Sequence, residues 1–297
     1  MLALPCAAGI VSDVRATLAR HDLAGAERQV AEYRKRSGNT PEGLLALSWL
    51  GRGALEQKKY EEAERYASET TRLVGTLRPG ADRNLTLALG SAIEVRAGVL
   101  AERGQRAEAV SYLRKQLAAY RNTDLHPRIQ KSLNLLTLEG KPAPPLDTRR
   151  SLGARARPLA ELRGRPVLLF FWAHWCPDCK DEIPVLVEIM RRYGPRGLVL
   201  IAPTQHYGYV ARGEDAPPER ETPYIDSVRR TAYRALGDVP VPLSEENFRV
   251  YGASTVPTLV LVDAAGVVRM YHPDVMPLEA LAAQIEKVLP SRAAVLR

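Results

Sequence analysis

The stretch that most constrains this chain is 167–184, which reads VLLFFWAHWCPDCKDEIP. Val167–Trp172 is an unbroken apolar run of strand length, rich in aliphatic and aromatic side chains, and reads as a strand buried on both faces. A short turn, Ala173–Trp175, interrupts it, and Cys176-Pro177-Asp178-Cys179 follows. From Asp178 onward a lysine, acids and apolar residues recur at helical spacing, predicting a helix as far as Tyr193. Two thiols therefore stand where a buried strand feeds a helix N-terminus.

A chain of 297 residues has room for two domains. Its composition changes at Glu139–Asp147 (EGKPAPPLD), where three prolines exclude a continuing helix and push the preceding residues toward extended backbone. The expected division is residues 12–139 as a helical domain, 140–148 as a proline-rich linker and 149–297 as a second domain of strands and helices. The net charge of +8 comes from arginines spread along the chain. It reads as a solvated basic surface, with attraction to acidic partners or anionic lipid as the alternative. No aromatic-interleaved basic motif points to nucleic acid. No stretch approaches the roughly 20 consecutive apolar residues of a membrane span, so no firm membrane anchor is expected.

Cysteine occurs only as Cys6, Cys176 and Cys179, which excludes a disulfide-stapled scaffold. Cys6 lies in residues 1–11 (MLALPCAAGIV), a short apolar segment without the basic start of a signal peptide. It reads either as the remnant of an export signal or as the start of an apolar helix. Pro5 fits poorly where a lipoprotein cysteine wants a small neighbour.

Between Ser12 and Leu138 alanine, leucine, glutamate and arginine dominate, predicting helices throughout. Ser37-Gly38-Asn39, Arg78-Pro79-Gly80 and Glu102-Arg103-Gly104 punctuate them. Leu23–Glu27, Tyr60–Glu64 and Gln105–Ala109 resemble one another, each opening the second helix of a pair with a small alanine that permits close approach. Leu47, Leu50 and Gly51 precede Ala63 at the offsets of a tetratricopeptide first helix, and Ala67 and Thr70 continue the second. Ile93, Ala97 and Leu113 fit a third unit, which Arg96 breaks. This resembles degenerate tetratricopeptide repeats, although the key alanines stand 37 and 46 residues apart against a standard period of about 34. Two readings stay open: a surface that grips a partner protein, or a bundle that positions or dimerises the other domain. Trp49 and Tyr60 are read as core.

Beyond the prolines, Leu198–Ala202 completes a strand–helix–strand unit and hence a parallel pair. A polar loop, Thr204–Thr222, leads to a helix expected at Pro223–Leu236. Val239–Pro242 reads as a short edge strand, Glu246–Tyr251 as a helical turn, Thr258–Asp263 and Val267–Tyr271 as a hairpin, and Leu278–Leu289 as a closing helix. This order, together with WAHWCPDCKDEIP and Ser254-Thr255-Val256-Pro257-Thr258, resembles the thioredoxin superfamily. Gly140-Lys141-Pro142-Ala143-Pro144, Leu162-Arg163-Gly164 and Arg165-Pro166-Val167-Leu168-Leu169 are similar to the entry sequence of its TlpA/ResA-like extracytoplasmic thiol–disulfide oxidoreductases. The likeness covers about residues 140–290. It implies an α/β thioredoxin fold for this half, an extracytoplasmic (periplasmic) place, and protein thiols or disulfides as substrates. With the tetratricopeptide-like first half, the expected whole is an α/β thioredoxin fold preceded by an all-α helical-repeat domain. The longer Thr204–Thr222 loop and the helical domain depart from it.

Two cysteines separated by two residues at a helix start can close a small disulfide and reopen it, with no other cofactor. Cys176, in the first turn, is the expected nucleophile, because unpaired backbone N–H groups and the helix dipole stabilise a thiolate. Cys179, one turn inward, is the expected resolving thiol. Lowering a thiol pKa from about 8.5 to about 7 raises its thiolate fraction at pH 7 some sixteenfold, roughly. Lost nucleophilicity takes back about four- to sixfold, so the main effect is on redox poise. Asp178, negative and next to Pro177 between the thiols, opposes thiolate formation and predicts a reductant. The resemblance adds further roles. Pro184 kinks the helix, and Glu182 moves protons to or from Cys179. Val256-Pro257 is a cis pair facing the cysteines and offering backbone to an extended substrate strand. Trp175 is expected to wall the site and Trp172 to sit in the core.

A CxxC is also half a zinc site, but only Cys6 and the scattered His21, His126, His174, His206 and His272 remain as further ligands, so no metal is expected. Copper delivery wants a wider cysteine spacing and a distant histidine, for which His206 is the one candidate. A peroxiredoxin-type peroxidase needs a lone cysteine in another loop context. His174 reads as a local pKa modifier or a surface residue, and Thr204–Thr222 either as a shaper of substrate access or as a plain surface loop. The remaining alternative is a protein-binding adapter in which the helical half is the main function.

Overall fold

The computed structural model describes residues 9–77 and 82–289. The expectations for Cys6 and for Arg78-Pro79-Gly80 lie outside these residues. The chain divides into two compact units, residues 1–132 and 133–297.

The first unit is all helical: α1 (Ile10–Leu18), α2 (Leu23–Ser37), α3 (Pro41–Glu56), α4 (Tyr60–Thr76), α5 (Arg83–Glu102), α6 (Arg106–Ala119) and the first part of α7 (His126–Thr137). Local chemistry starts several of them. Asp22 caps α2 by accepting from Gly25 N at 2.7 Å, and Thr40 caps α3 by accepting from Gly43 N at 3.1 Å, with Pro41 in the first turn. The three related stretches begin α2, α4 and α6. Their alanines, Ala26, Ala63 and Ala109, are fully buried. Each of α2, α4 and α6 pairs with the helix before it, while α3 also packs on α1 and α5. Trp49 is half-buried rather than core, because the Arg15 and Arg52 guanidinium groups each stack 4.7 Å from its ring. Tyr60 is likewise half-buried. Glu94 is held between Arg128 at 2.5 Å and Lys131 at 3.0 Å. Burial pushes its carboxyl up and the two cations more than reverse that, leaving it below its usual range.

The second unit is built on a four-stranded sheet in the order β3 (Val199–Ile201), β2 (Val167–Phe171), β5 (Thr258–Val262), β6 (Val268–Pro273). β2 runs parallel to β3 and antiparallel to β5, and β5 and β6 form an antiparallel hairpin. Every residue of β2 and β5 is buried. Leu168, Phe170, Leu259 and Leu261 face one apolar cluster and Val167, Leu169, Phe171, Val260 and Val262 the other. Coverage on both faces explains an apolar run without alternation.

Helices α8 (Pro177–Asp181), α9 (Ile183–Tyr193), α10 (Pro218–Ala232), α11 (Glu245–Tyr251) and α12 (Leu278–Glu286) complete the unit. The helix expected from Asp178 to Tyr193 is divided at Glu182, just before Pro184. α10 begins at Pro218, not Pro223, which lies inside it; Pro218 supplies the first turn. A strand absent from the sequence reading, β1 (Ser151–Leu152), pairs antiparallel with β4 (Val241–Pro242). Two residues are too few to display a period. The proline-rich stretch lies inside this unit and is not a free linker. Leu146 is buried with Leu138, Gly140 N donates to Val268 O at 2.8 Å, and Tyr251 Oη donates to Pro144 O at 2.6 Å. No helix among the described residues is long and apolar enough to cross a membrane.

Candidate active site

The β2 strand ends at Phe171, and Trp172 anchors the departing chain. Its N donates to Pro203 O at 3.1 Å and its indole Nε1 to Ala202 O at 2.9 Å. Its ring lies 4.3 Å from that of Tyr233. The turn then delivers Cys176 to the N-cap of α8, with extended backbone (φ −76°, ψ 115°) and Pro177 in the first turn. Cys176 and Cys179 are joined as a disulfide with Cα atoms 5.3 Å apart. Cys179 N donates to Cys176 Sγ at 3.0 Å. Both cysteines are buried, Cys179 fully, while Pro177 and Asp178 are exposed beside them.

The Val256–Pro257 peptide is cis, and Val256 O stands 3.5 Å from Cys176 Sγ. Pro257 is buried and Val256 half-buried. Trp175 is 45% exposed and is held edge-on by Tyr207, their ring centroids 5.5 Å apart. Trp175, Pro177 and Asp178 are thus exposed around the buried Cys176, Cys179 and Pro257, with Val256 half-buried beside them.

Glu182 is buried at the end of α8, where both carboxylate oxygens lie 3.4 Å from Met276 N. Burial raises its pKa to about 7; the Met276 N–H opposes this and the charge of Asp274 adds to it. A groove of about 360 Å³ lined by Asp178, Asp181, Glu182, Val275 and Met276 opens beside it.

His174 is not a surface residue. Its side chain is 1% exposed, and Nε2 lies 3.2 Å from Oε1 of Glu221, itself fully buried. Burial lowers the His174 pKa, Glu221 opposes the shift, and Lys180 adds to it. The rings of Tyr207, Tyr209 and Tyr224 surround the imidazole edge-on at 5.6, 5.4 and 5.2 Å. Glu221 also accepts from Tyr207 N at 2.6 Å and Gly208 N at 2.9 Å. The segment 204–217 is therefore tied inward at Tyr207 and Gly208, while residues 211–215 are exposed. Sequence reasoning singled out His206-Tyr207-Gly208-Tyr209 as a candidate shaper of substrate access but missed Glu221 and Tyr224. His206 is bound to Thr222 Oγ1 at 2.8 Å.

A buried strand delivering a cysteine pair to a helix N-terminus opposite a cis-proline defines a thioredoxin-like thiol–disulfide oxidoreductase domain. Residues 140–271 match the AhpC/TSA family. Among curated proteins the chain is 27% identical over 141 residues to the thiol-disulfide oxidoreductase ResA of Geobacillus thermodenitrificans, covering 47% of this chain and 72% of ResA. It is 29% identical over 109 residues to nucleoredoxin of Danio rerio, covering 35% of this chain but only 23% of nucleoredoxin. Among solved structures, a thiol:disulfide interchange protein of the thioredoxin family from Chlorobium tepidum is 21% identical. That match covers 51% of this chain and 98% of the other, with a TM-score of 0.39.

Proposed function

We propose that the chain reduces disulfides in proteins, with Cys176 as nucleophile and Cys179 as resolving thiol. The observation that carries the exchange chemistry and the choice of Cys176 as nucleophile is the Cys179 N–H aimed at Cys176 Sγ at 3.0 Å, a contact that would stabilise a thiolate at Cys176 in the reduced protein. The reducing direction rests on Asp178. The Cys176 thiolate attacks one sulfur of a substrate disulfide, forming a mixed disulfide and releasing the other sulfur as a thiolate. Cys179 then gives its proton to Glu182 and attacks the Cys176 sulfur. The second substrate thiolate leaves, and the electron pair has passed to the substrate while the Cys176–Cys179 disulfide forms. A dithiol donor outside the chain must restore the reduced pair; no further cofactor is required.

Exposed Asp178 between the cysteines disfavours extra negative charge and supports the reducing direction. The half-buried Val256 backbone, beside Cys176, offers a place for an extended substrate strand. An extracytoplasmic location is part of the proposal and rests on the TlpA/ResA-like motifs. The helix pairs α1/α2, α3/α4 and α5/α6 support a tetratricopeptide-like unit that holds a protein partner.

The test is reduction of insulin disulfides by dithiothreitol-charged protein. Cys176→Ser is expected to abolish turnover, and Cys179→Ser to accumulate a mixed disulfide with substrate. A wild-type protein without activity would favour the adapter reading, and a reduction potential near that of strong oxidants (about −120 mV) would reverse the direction.

A further inference from the structure

A buried histidine–glutamate pair lies two residues ahead of Cys176, and the thiol exchange above makes no use of it. Removing a carboxylate from water costs several kcal/mol, about, unless donors surround it. Glu221 has three: the His174 ring at 3.2 Å, Tyr207 N at 2.6 Å and Gly208 N at 2.9 Å. Gly208 has φ +82°, a left-handed conformation that lets two successive N–H groups converge on one anion. The three donors come from two places, the turn before Cys176 and the 204–217 segment, while the acceptor belongs to α10. A single carboxylate therefore joins all three.

The pair is not placed for proton transfer to a thiol. His174 Nε2 is committed to Glu221, and three tyrosine rings enclose the imidazole. What the pair does hold is Tyr207, whose ring meets both His174 at 5.6 Å and Trp175 at 5.5 Å. Trp175 is one of few large apolar side chains left exposed among the described residues, and it adjoins Cys176. Two apolar residues also adjoin Cys176: exposed Pro177, next in sequence, and half-buried Val256, whose O stands 3.5 Å from Cys176 Sγ.

We propose that Glu221 and His174 are positioning residues that clamp the 204–217 segment to the cysteine turn. The clamp sets Tyr207 and Trp175 as a rigid wall for an extended polypeptide carrying a bulky apolar side chain beside its disulfide. The substrate half of this inference rests on the disulfide-exchange reading of the site. The clamp acts on substrate binding and leaves the electron transfer itself alone.

The experiment compares full-length wild type, Glu221→Gln and Tyr207→Leu. In Glu221→Gln the amide NH2 must face at least one of the donors the carboxylate accepted from. Tyr207→Leu removes the edge contact to Trp175 and leaves the buried pair intact. Both are expected to raise KM for insulin about tenfold with kcat within about twofold, the pattern of lost ground-state and transition-state binding alike. The reduction potential and the rate with bis(2-hydroxyethyl) disulfide, too small to use the wall, stay unchanged. In protein labelled with 5-fluorotryptophan, the Trp175 resonance, assigned by its loss in Trp175→Phe, moves toward the position of solvent-exposed indole in both variants. A shifted potential with unchanged KM would overturn the proposal by placing the pair's effect on the thiols. Unchanged KM and an unmoved Trp175 resonance would overturn it as well. If wild type reduces no disulfide, the exchange reading falls and the substrate wall with it, and the fluorine signal alone then decides for or against the clamp.

Discussion

The carboxyl of Glu182, raised to about 7 by burial, makes the stability of the oxidised protein depend on pH. An unfolded glutamate titrates near 4.5, so between these values the folded state binds more protons than the unfolded one. Stability attached to this residue is therefore full below about pH 4.5 and falls as pH rises toward 7. The whole shift would correspond to at most about 3 kcal/mol. Glu182→Gln, which mimics the protonated form, is expected to raise stability by up to that amount at pH 8 and to leave it unchanged at pH 4. Denaturant melts of the oxidised proteins at both pH values measure this. An equal effect at both would mean that packing rather than ionisation governs the site. The same residue loses its proton acceptor role in Gln form, so the rate of mixed-disulfide resolution should fall while insulin binding holds.

At the scale of elements, α10 carries the one local contradiction that the fold has to absorb. Pro223 sits in its sixth position, where its missing N–H leaves Glu219 O without the usual intrahelical donor. A proline there costs about 3 kcal/mol, and its restriction of the unfolded chain returns about 1. Pro223→Ala is accordingly expected to stabilise the protein by about 2 kcal/mol in thermal or urea unfolding. No gain would show that the helix bends around Pro223 to seat Glu221. β2 poses no such conflict. Its five residues are apolar and buried, and sequence pattern and tertiary demand agree there. β1 and β4 are the opposite case: two residues each, paired only because the chain brings 151–152 beside 241–242.

For the whole molecule, the place where the chain divides matters to any experiment on its parts. The division falls inside α7, between residues 132 and 133, upstream of the prolines. The second half of that helix belongs to the thioredoxin-like unit: Asn134 Nδ2 donates to the buried Tyr251 O at 2.8 Å, and Leu138 lies in the same apolar cluster as Phe171. A fragment of residues 126–297 is expected to fold and keep the full-length reduction potential. One beginning at residue 140 loses the Asn134 bond and the Leu138 packing, and its melting temperature is expected to fall by several degrees, about 4–8 °C per 2 kcal/mol at this size. Equal melting temperatures would show that α7 is dispensable to the unit.

The sequence by itself determined what depends on neighbours in the chain. The strand–turn–helix that carries Cys176 and Cys179, the helix pairs opened by Ala26, Ala63 and Ala109, and the kink ahead of Pro184 all follow from side-chain period, thiol spacing and backbone chemistry. Those rules act within a few residues, and they were readable without coordinates. Only the tertiary structure decided that His174 is buried, that Glu221, 47 residues on, receives it, and that α10 starts at Pro218. Side-chain pattern reports that a residue is shielded from water and not what shields it. A lone histidine in a turn therefore looks like a surface group until the segment 204–217 is folded over it. Burial of a carboxylate is decided by donors gathered from distant parts of the chain, and that gathering exists only in three dimensions.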